Sequence, residues 1–331
     1  MCKRNAGVAE GGSEATLQGS CADTGFARVP ARRASVRRPS TIELMLLATV
    51  FLWALNLTVT RYILTHGFAP LAYATYRYGL ATAIFIAIVL VGERTLRIAR
   101  RDLPLVGLAA LFIFLNQLSF VYALDRTSAS TIALILGATP AFAALIGLVL
   151  GLERLSRRFW LAAAISFAGV GLVALGSGGE VAGDHLGILL GVSTAATWAA
   201  YSVAVGPLME RYSASRISVA ALGLAWVGIA LVGLPQTVDQ DLDVGWKVWA
   251  LLLFATLGPL VLTTILWFRV IHRIGASRAT LVANLQPFVA AIFALVLLSE
   301  QMSLLQVLGG LLIAGGILTA RRRSPPAPAP D

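Results

Sequence analysis

Charged residues are scarce in this sequence: they make up 13% of the 331 residues, whereas 58% are hydrophobic and the mean hydropathy is +0.81. Soluble proteins carry about 25% charged residues, so an ordinary soluble domain is excluded. Cysteine is nearly absent too, since only Cys2 and Cys21 occur, both ahead of the first apolar run. They exclude a disulfide framework and a cysteine metal cluster. We therefore expect an integral membrane protein without metal or cofactor.

Catalytic motifs and embedded acids are also missing. No His-Glu-x-x-His, Gly-x-Ser-x-Gly or P-loop motif occurs, and no aspartate pair lies inside an apolar run. We therefore expect that the protein is not an enzyme. Every acid lies in a tail, in a loop or near the end of an apolar run, with Glu43 and Asp125 closest to an interior position. Because ion-coupled transport commonly uses an intramembrane carboxylate, three modes of transport are the alternatives: facilitated diffusion, exchange, and ion coupling through Glu43 or Asp125.

Ten apolar runs of about 20 residues are each long enough to cross about 30 Å of hydrocarbon as a helix. Runs such as IALILGATPAFAALIGLVLG lack the alternation of a membrane β-barrel. The expected fold class is therefore an all-α membrane protein with ten transmembrane helices. The predicted spans are Glu43–Leu64, Pro70–Val91, Leu103–Leu124, Ser128–Leu150, Phe159–Leu175, Leu186–Val205, Ile217–Leu234, Val248–Val270, Ala279–Leu298 and Leu304–Ala320.

Basic residues segregate to alternate span ends. With the amino terminus in the cytoplasm, 20 of them fall on the cytoplasmic side, and only Arg61, Arg126 and Lys247 fall on the other. Membrane insertion alone produces such a bias, so the net charge of +10 indicates topology and not nucleic-acid binding. Arginine also greatly outnumbers lysine, which favours a GC-rich bacterial genome. We predict a multi-pass protein of the bacterial inner membrane with both termini in the cytoplasm.

The sequence contains an internal repeat. Five predicted helices separate equivalent positions, and because five is odd the second copy enters the membrane from the opposite side. The predicted organisation is a disordered basic tail without a signal peptide over residues 1–40, repeats over 41–176 and 185–321, and a Pro-rich tail over 322–331. A shift of 147 residues places Pro140 on Pro287, Glu153 on Glu300, Ala129 on Ala276, Ser130 on Ser277, Ser156 on Ser303 and Gly169 on Gly316.

The order of these motifs resembles the EamA family of the drug/metabolite transporter superfamily. The resemblance covers about residues 41–320 and rests on WALN, PLAYATYR, ALDRTSASTIALILGATP with GLERLS, and HRIGASRATLVANLQP with LSEQM. It implies an exporter or permease for small metabolites that works by alternating access between two inverted halves. Small multidrug relatives use a glutamate embedded in the first helix, and Glu43 lies too near the entrance for that part. A cationic multidrug/proton antiporter and a non-transporting receptor or scaffold are therefore the alternatives.

Polar and aromatic side chains far from the span ends are the candidates for a solute path. Within a helix they recur every three or four residues and so share a face, and Asn116 and Gln117 are the repeat equivalents of Thr263 and Thr264. Interhelical hydrogen bonds or packed rings are the alternative role for each. The candidate substrate-binding residues are Trp53, Asn56, Tyr76, Arg77, Asn116, Gln117, Trp198, Tyr201, Thr263 and Asn284.

Arg77 stands out because it lies seven residues into its span, where a charge is costly. It predicts a solute or gate role, against pairing with Asp125, contact with helix-end carbonyls or snorkelling to the interface. Without a central acid, a zwitterionic, anionic or neutral solute is favoured over a cation.

Pro140 and Pro287 predict helix breaks near the membrane midplane. They free the carbonyls of Leu136 and Ala283, which polar neighbours such as Thr139 would satisfy; a simple packing kink is the alternative.

Two further patterns concern span ends and helix packing. Glu153 and Glu300 are interpreted as solvated markers of helix ends and as partners for nearby cations, with a gating role as the alternative. Small-residue runs in the fifth and tenth spans, FAGVGLVALG and GLLIAGG, favour close packing within one chain or in a dimer equally. The expected partners are thus a small-molecule solute and membrane lipids, with no nucleic acid, for a monomer or homodimer.

Overall fold

The structure is a computed structural model that describes residues 41–151, 157–176, 184–274 and 285–321, and every regular element in these ranges is a helix. This confirms the predicted all-α fold class. A 3-10 turn (Arg100–Asp102) precedes the helix that begins at Leu103, and a π-helical segment (Leu257–Leu262) joins the helices Trp246–Thr256 and Thr263–Ile274. The helices are α1 (Thr41–Thr65), α2 (Pro70–Gly92), α3 (Leu103–Arg126), α4 (Ala129–Leu136), α5 (Thr139–Val149), α6 (Arg157–Gly176), α7 (His185–Met209), α8 (Ala214–Val232), α9 (Leu234–Val238), α10 (Trp246–Thr256), α11 (Thr263–Ile274), α12 (Gln286–Leu297) and α13 (Leu304–Arg321).

Seven helical stretches of the described chain are long and apolar enough to cross a membrane. They coincide with seven of the ten predicted spans and make this a multi-pass membrane protein. The other three predicted spans fall on shorter apolar helical stretches, Trp160–Val173, Gln286–Leu297 and Leu304–Gly316. The first residues of the ninth predicted span lie outside the described ranges. The seven are Thr41–Thr65, Pro70–Gly92, Arg100–Arg126, Ala129–Val149, His185–Met209, Ala214–Val232 and Trp246–Trp267.

Helix starts coincide with capping residues in the sequence. The side-chain oxygens of Ser128, Asp184 and Ser213 accept hydrogen bonds from backbone N–H groups in the first turns of α4, α7 and α8. Such caps satisfy donors that have no partner inside the helix. Pro70 begins α2, where its missing N–H costs nothing. Single capping residues and a proline thus mark where separate helices begin in a nearly continuous apolar chain.

The capping carboxylate of Asp184 also receives a hydrogen bond from Arg126 Nη1 at 3.0 Å, and this bond lowers the pKa of Asp184 below its ordinary value. A carboxyl whose folded pKa is depressed stabilises the fold above its unfolded pKa, and the contribution is lost as the pH falls through the folded pKa. We expect Asp184→Asn to lower the melting temperature modestly at neutral pH, with a difference that shrinks below about pH 4. Circular dichroism melting curves of both proteins between neutral pH and pH values below about 4 measure the difference in melting temperature. A difference that does not change with pH would contradict the prediction.

The core lies around α1 and α2. Tyr73, Tyr78, Phe68 and Phe85 are fully buried there, and α2 packs on α8 while α1 contacts α11 and α12. α3 packs on α7 and α8, α5 on α7, and α6 on α13. Large apolar side chains elsewhere, including Leu90, remain exposed. An exposed apolar surface of this extent is what a lipid-facing bundle requires.

The small residues of α6 and α13 face each other. A Cβ atom on Gly169 or on Gly309 would collide with the backbone of the opposite helix. Of the two alternatives for the small-residue runs, these glycines therefore take part in close packing within one chain.

Charged side chains join the connections between helices in two groups. In one group, Asp102 accepts hydrogen bonds from Arg211 and Tyr212, and Glu93 pairs with Arg216. This group links the α2–α3 connection to the α7–α8 connection, both predicted to be cytoplasmic.

The second group contains the three basic residues predicted to lie on the outer side. Arg61 donates to the carbonyl oxygen of Asp125 at 2.7 Å, Arg126 pairs with Asp184, and Lys247 lies 4.7 Å from the ring centre of Tyr62. These contacts join the last turns of α1 and α3 to the starts of α7 and α10. The two predicted charge groups therefore do not mix among the described residues.

Candidate functional site

Arg77 on α2 is buried and binds two neutral acceptors. Only 4% of the residue is exposed. Its Nη2 donates to Asn56 Oδ1 on α1 at 3.1 Å, and its Nε donates to the carbonyl oxygen of Ala255 on α10 at 3.3 Å. The guanidinium carbon lies 5.8 Å from the ring centre of Tyr73, whose hydroxyl is 3.0 Å from Thr60 Oγ1. Arg77 thus joins three helices.

The Ala255 carbonyl is available to Arg77 because of Pro259. In a regular α-helix the N–H four residues later would bond to this oxygen, and proline has none. Pro259 lies within the π-helical segment Leu257–Leu262. Segments of this kind occur often at functional sites. Proline and arginine therefore form one unit, in which the side chain replaces the missing backbone donor.

No carboxylate neutralises Arg77 among the described residues, since it belongs to none of the ion pairs found there. Its Nη1 atom makes no hydrogen bond within the same ranges. The predicted alternative of pairing with Asp125 is not seen, because Arg61 takes the carbonyl oxygens of Leu124 and Asp125 at the end of α3. Snorkelling is excluded by the burial of the side chain. A buried cation with only neutral partners is energetically costly, so the position suits an anionic group of a ligand.

Aromatic side chains of α1, α7 and α11 meet beside this cluster. Trp53 Nε1 donates to Thr263 Oγ1 at 2.8 Å. The Trp53 ring centre is 5.1 Å from that of Trp267 and 6.4 Å from that of Trp198, and Trp198 lies 5.6 Å from Tyr201. Four predicted site residues, one from the first half of the chain and three from the second, are therefore brought together here.

A second polar cluster lies between α3 and α7. Asn116 Nδ2 donates to the carbonyl oxygen of Thr194 at 2.9 Å, and Gln117 Nε2 donates to Asn116 Oδ1 at 3.1 Å. Both side chains are buried, and Gln117 Oε1 has no partner among the described residues. Since an unsatisfied buried acceptor is costly, Gln117 offers an acceptor for a solute donor. Asn116 itself makes the interhelical bond that was the alternative for each candidate.

The remaining candidates lie apart from these clusters. Tyr76 packs edge to face with Phe68 and Trp249, at ring distances of 5.9 and 5.8 Å. Asn284 lies outside the described residues, and so does Ala283. The apolar pocket lined by Gly107, Ala110, Leu111, Phe114, Leu224 and Ala225 includes none of the candidates.

Both predicted helix-break prolines lie in the first turn of a helix. α4 ends at Leu136 and α5 begins at Thr139, so Pro140 follows the interruption, and Pro287 has the same place in α12. The carbonyl oxygen of Leu136 accepts a hydrogen bond from Thr139 Oγ1 at 2.7 Å. The local polar neighbour, and not a distant group, satisfies the freed carbonyl.

Two features of the site region were missed or misread from the sequence. Pro259, in the run ATLGPLVLTT, was not singled out, although the reasoning applied to Pro140 would have found it. Glu300 was interpreted as a solvated end marker, but it is partly buried and accepts hydrogen bonds from Ala129 and Ser130 at the start of α4. A carboxylate at the end of an apolar run gives no sign that a distant helix start is its partner.

Comparison with known proteins finds a matching family profile and relatives that are named as transporters. A family profile described as "EamA-like transporter family" matches residues 40–175 and 185–322. The "Uncharacterized transporter YyaM" of Bacillus subtilis is 25% identical, covering 84% of this chain and 93% of the relative. The "Probable terminal-alkyne amino-acid exporter" of Streptantibioticus cattleyicolor is also 25% identical, covering 82% and 93%.

Solved structures add a likeness of fold. One chain, described as "Crystal structure of protein", superposes with a TM-score of 0.58 at 21% identity and covers 84% of this chain and 95% of its own. At that identity the likeness concerns the fold alone.

The described residues hold no group of three metal-ligating side chains.

Proposed function

We propose, from the premise that the chain belongs to the EamA-like transporter family, that it exports a small polar, amino-acid-like metabolite. The relatives from Bacillus subtilis and Streptantibioticus cattleyicolor are named as a transporter and an exporter, and the chain itself is a multi-pass membrane protein. The observation that carries the proposal is a pair of hydrogen bonds between the two matched segments, the partly buried bond from Trp53 to Thr263 and the buried bond from Arg77 to Ala255. Polar groups deep in apolar helices are expected where a solute passes.

The proposed architecture is ten transmembrane helices in two inverted repeats, residues 41–176 and 185–321. The two matched segments support this division. A shift of 147 residues carries α2 to α8 and α6 to α13, and both of these pairs pack together. It also relates the contact of α3 with α7 to that of α11 with α1. Pairing of equivalent helices in this way is what a pseudo-two-fold axis between repeats produces, and alternating access then follows as rocking of one repeat against the other.

The proposed location is the bacterial inner membrane, with both termini in the cytoplasm. The separation of the charge groups supports this orientation. The proposed partners are the solute and membrane lipids, for a monomer or homodimer that binds no nucleic acid.

The proposed solute site consists of Trp53, Asn56, Tyr76, Arg77, Asn116, Gln117, Trp198, Tyr201, Thr263 and Asn284. Arg77 receives the acidic group of the solute, because it is a buried cation whose described partners are neutral. Gln117 and the Trp53–Trp198 pair provide an acceptor and an apolar wall. The Streptantibioticus relative is named as a probable amino-acid exporter, which supports a solute with a carboxylate.

Comparing the metabolites retained by a deletion strain with those in its medium identifies the solute, and efflux from proteoliposomes then tests the site. We expect Asn56→Ala and Trp198→Ala to reduce efflux to background at unchanged membrane levels, because each removes a group that faces the Arg77 cluster or the aromatic wall. Gln301→Ala, at an exposed position, is the matched control. Normal efflux in both site variants would exclude this site, and no solute difference between strains would exclude export.

A further inference from the structure

Glu300 connects the two matched segments at the start of α4. Its Oε1 accepts a hydrogen bond from the backbone N–H of Ala129 at 2.9 Å, and its Oε2 accepts from the backbone N–H and the hydroxyl of Ser130 at 2.9 and 2.7 Å. Hydrogen bonds to a carboxylate are about twice as strong as neutral ones. The positive end of the α4 dipole adds to the attraction. One side chain of the second segment thus satisfies two backbone donors of the first.

Neighbouring groups support the same contact. Gln306 on α13 donates to Thr131 Oγ1 at 2.9 Å, one residue beyond Ser130. Arg61 on α1 interacts electrostatically with Glu300. The connection between α12 and α13 is therefore attached to the first turn of α4 by two side chains, with a cation nearby.

The contact also belongs to the internal repeat. The shift of 147 residues relates Ala129 and Ser130 to Ala276 and Ser277, and Glu300 to Glu153. The sequence therefore holds the same three residue types a second time, at positions outside the described residues. A residue set kept in both copies suits a task that both halves perform.

We infer that Glu300 is a positioning residue of the transport cycle: its bonds to Ala129 and Ser130 hold the outer ends of the two repeats together, and they must break for the outer side to open. This inference rests on the proposed alternating access. Glu300 binds the start of α4, and α4 is the first half of the interrupted helix pair α4–α5. When the bonds to Glu300 break, α4 becomes free to move relative to α12. A merely structural cap would stabilise α4 equally in every state of the cycle.

Thr127 is a suitable reporter of this opening. It lies two residues before Ala129, is fully buried, and its hydroxyl has no partner in the described ranges. Ser218 near the start of α8 is buried as well. It follows Arg216 by two residues in the sequence, on the predicted cytoplasmic side. Single cysteines at these two positions, in a chain whose Cys2 and Cys21 are replaced by serine, report on the two ends separately.

The test measures the rate at which a charged maleimide labels Thr127→Cys and Ser218→Cys in purified protein. We expect Glu300→Gln, which loses the charge and places an amide beside backbone donors, to raise labelling of Thr127→Cys at least about tenfold. Labelling of Ser218→Cys is expected to fall or to stay unchanged, because alternating access does not open both sides together. Glu300→Asp is expected to give a smaller rise, since its shorter side chain keeps the charge. Glu210→Gln, at an exposed position, is the matched control and is expected to change neither rate.

Three results would overturn the inference: an equal rise at both cysteines, which indicates general loosening, no rise at Thr127→Cys, or the same effect from Glu210→Gln. Labelling needs no solute, so its outcome does not depend on which metabolite is exported. If Glu300→Gln does not yield folded protein, Glu300→Asp alone decides between a rise confined to Thr127→Cys and none. Absence of efflux with a normal labelling response would instead reject the proposed function.

Discussion

Arg77→Lys is expected to lower solute efflux at least about tenfold, and Arg77→Met is expected to abolish it. The guanidinium donates hydrogen bonds to the carbonyl oxygen of Ala255 through Nε and to Asn56 Oδ1 through Nη2 at the same time. A lysine ammonium has its donors at one point on a flexible stem, so it keeps the charge but not both contacts. Efflux from proteoliposomes at matched protein content measures the effect.

The size of the effect follows from the groups that lose their partner. Ala255 has a carbonyl that no backbone N–H four residues later can satisfy, because residue 259 is proline. A buried acceptor left without a donor costs about 1–3 kcal/mol, and each 1.4 kcal/mol in a barrier changes a rate about tenfold. The loss falls on the helix pair that joins the two repeats, so it affects turnover as well as the amount of folded protein.

The control is Arg97→Lys, at an exposed position before α3, which is expected to transport normally. Normal efflux by Arg77→Lys would reduce the role of Arg77 to a fixed positive charge.

A separate comparison tests whether Arg77 binds a carboxylate of the solute. If Arg77 binds the acidic group of the solute, wild-type protein discriminates between that solute and its amide, and Arg77→Met loses this preference; a wild-type protein that exports both equally would contradict the assignment.

Sequence periodicity predicted the helices and their faces, but not which helices face each other. Asn56 and Arg77 were both candidates, because polar residues deep in apolar runs are conspicuous. Their mutual contact depends on how α1 and α2 pack, and the Arg77 bond to Ala255 joins residues 178 positions apart. Spacing within one helix contains no information on such a pair. Tyr76, one residue from Arg77, points instead to Phe68 and Trp249.

The same limit explains Glu300. An acid at the end of an apolar run is usually solvated, and only the folded chain shows that the start of α4 lies beside it. Pro259 is different, because its signal was present in the sequence. A proline inside a predicted span frees a carbonyl wherever it occurs, so the sequence predicts that the Ala255 oxygen needs another donor, although not that Arg77 supplies it.

The second large effect is expected at the contact of α6 with α13, where Gly169→Ala should strongly reduce the amount of folded protein. A Cβ atom on Gly169 would lie 2.6 Å from the carbonyl oxygen of Gly309, and a Cβ on Gly309 would lie 2.6 Å from that of Gly169. Neither contact is relieved by rotating a side chain, since both partners are backbone. The two helices must therefore move apart along a face that depends on close approach.

Overpacking of a well-packed core typically costs about 1–3 kcal/mol, and a membrane bundle has little hydrophobic effect to offset it because lipid is as apolar as the core. Gly171→Ala is the matched control, since it lies on the same helix and a Cβ there meets nothing within 4 Å. Thermal melting of both variants in detergent, with size-exclusion profiles, measures the difference. A dimer contact through this face predicts a shift to monomer without a loss of melting temperature, whereas the packing within one chain predicts a lower melting temperature at unchanged oligomeric state. Equal melting of the two variants would show that the helices separate without cost and that α6 and α13 are not fixed by their glycines.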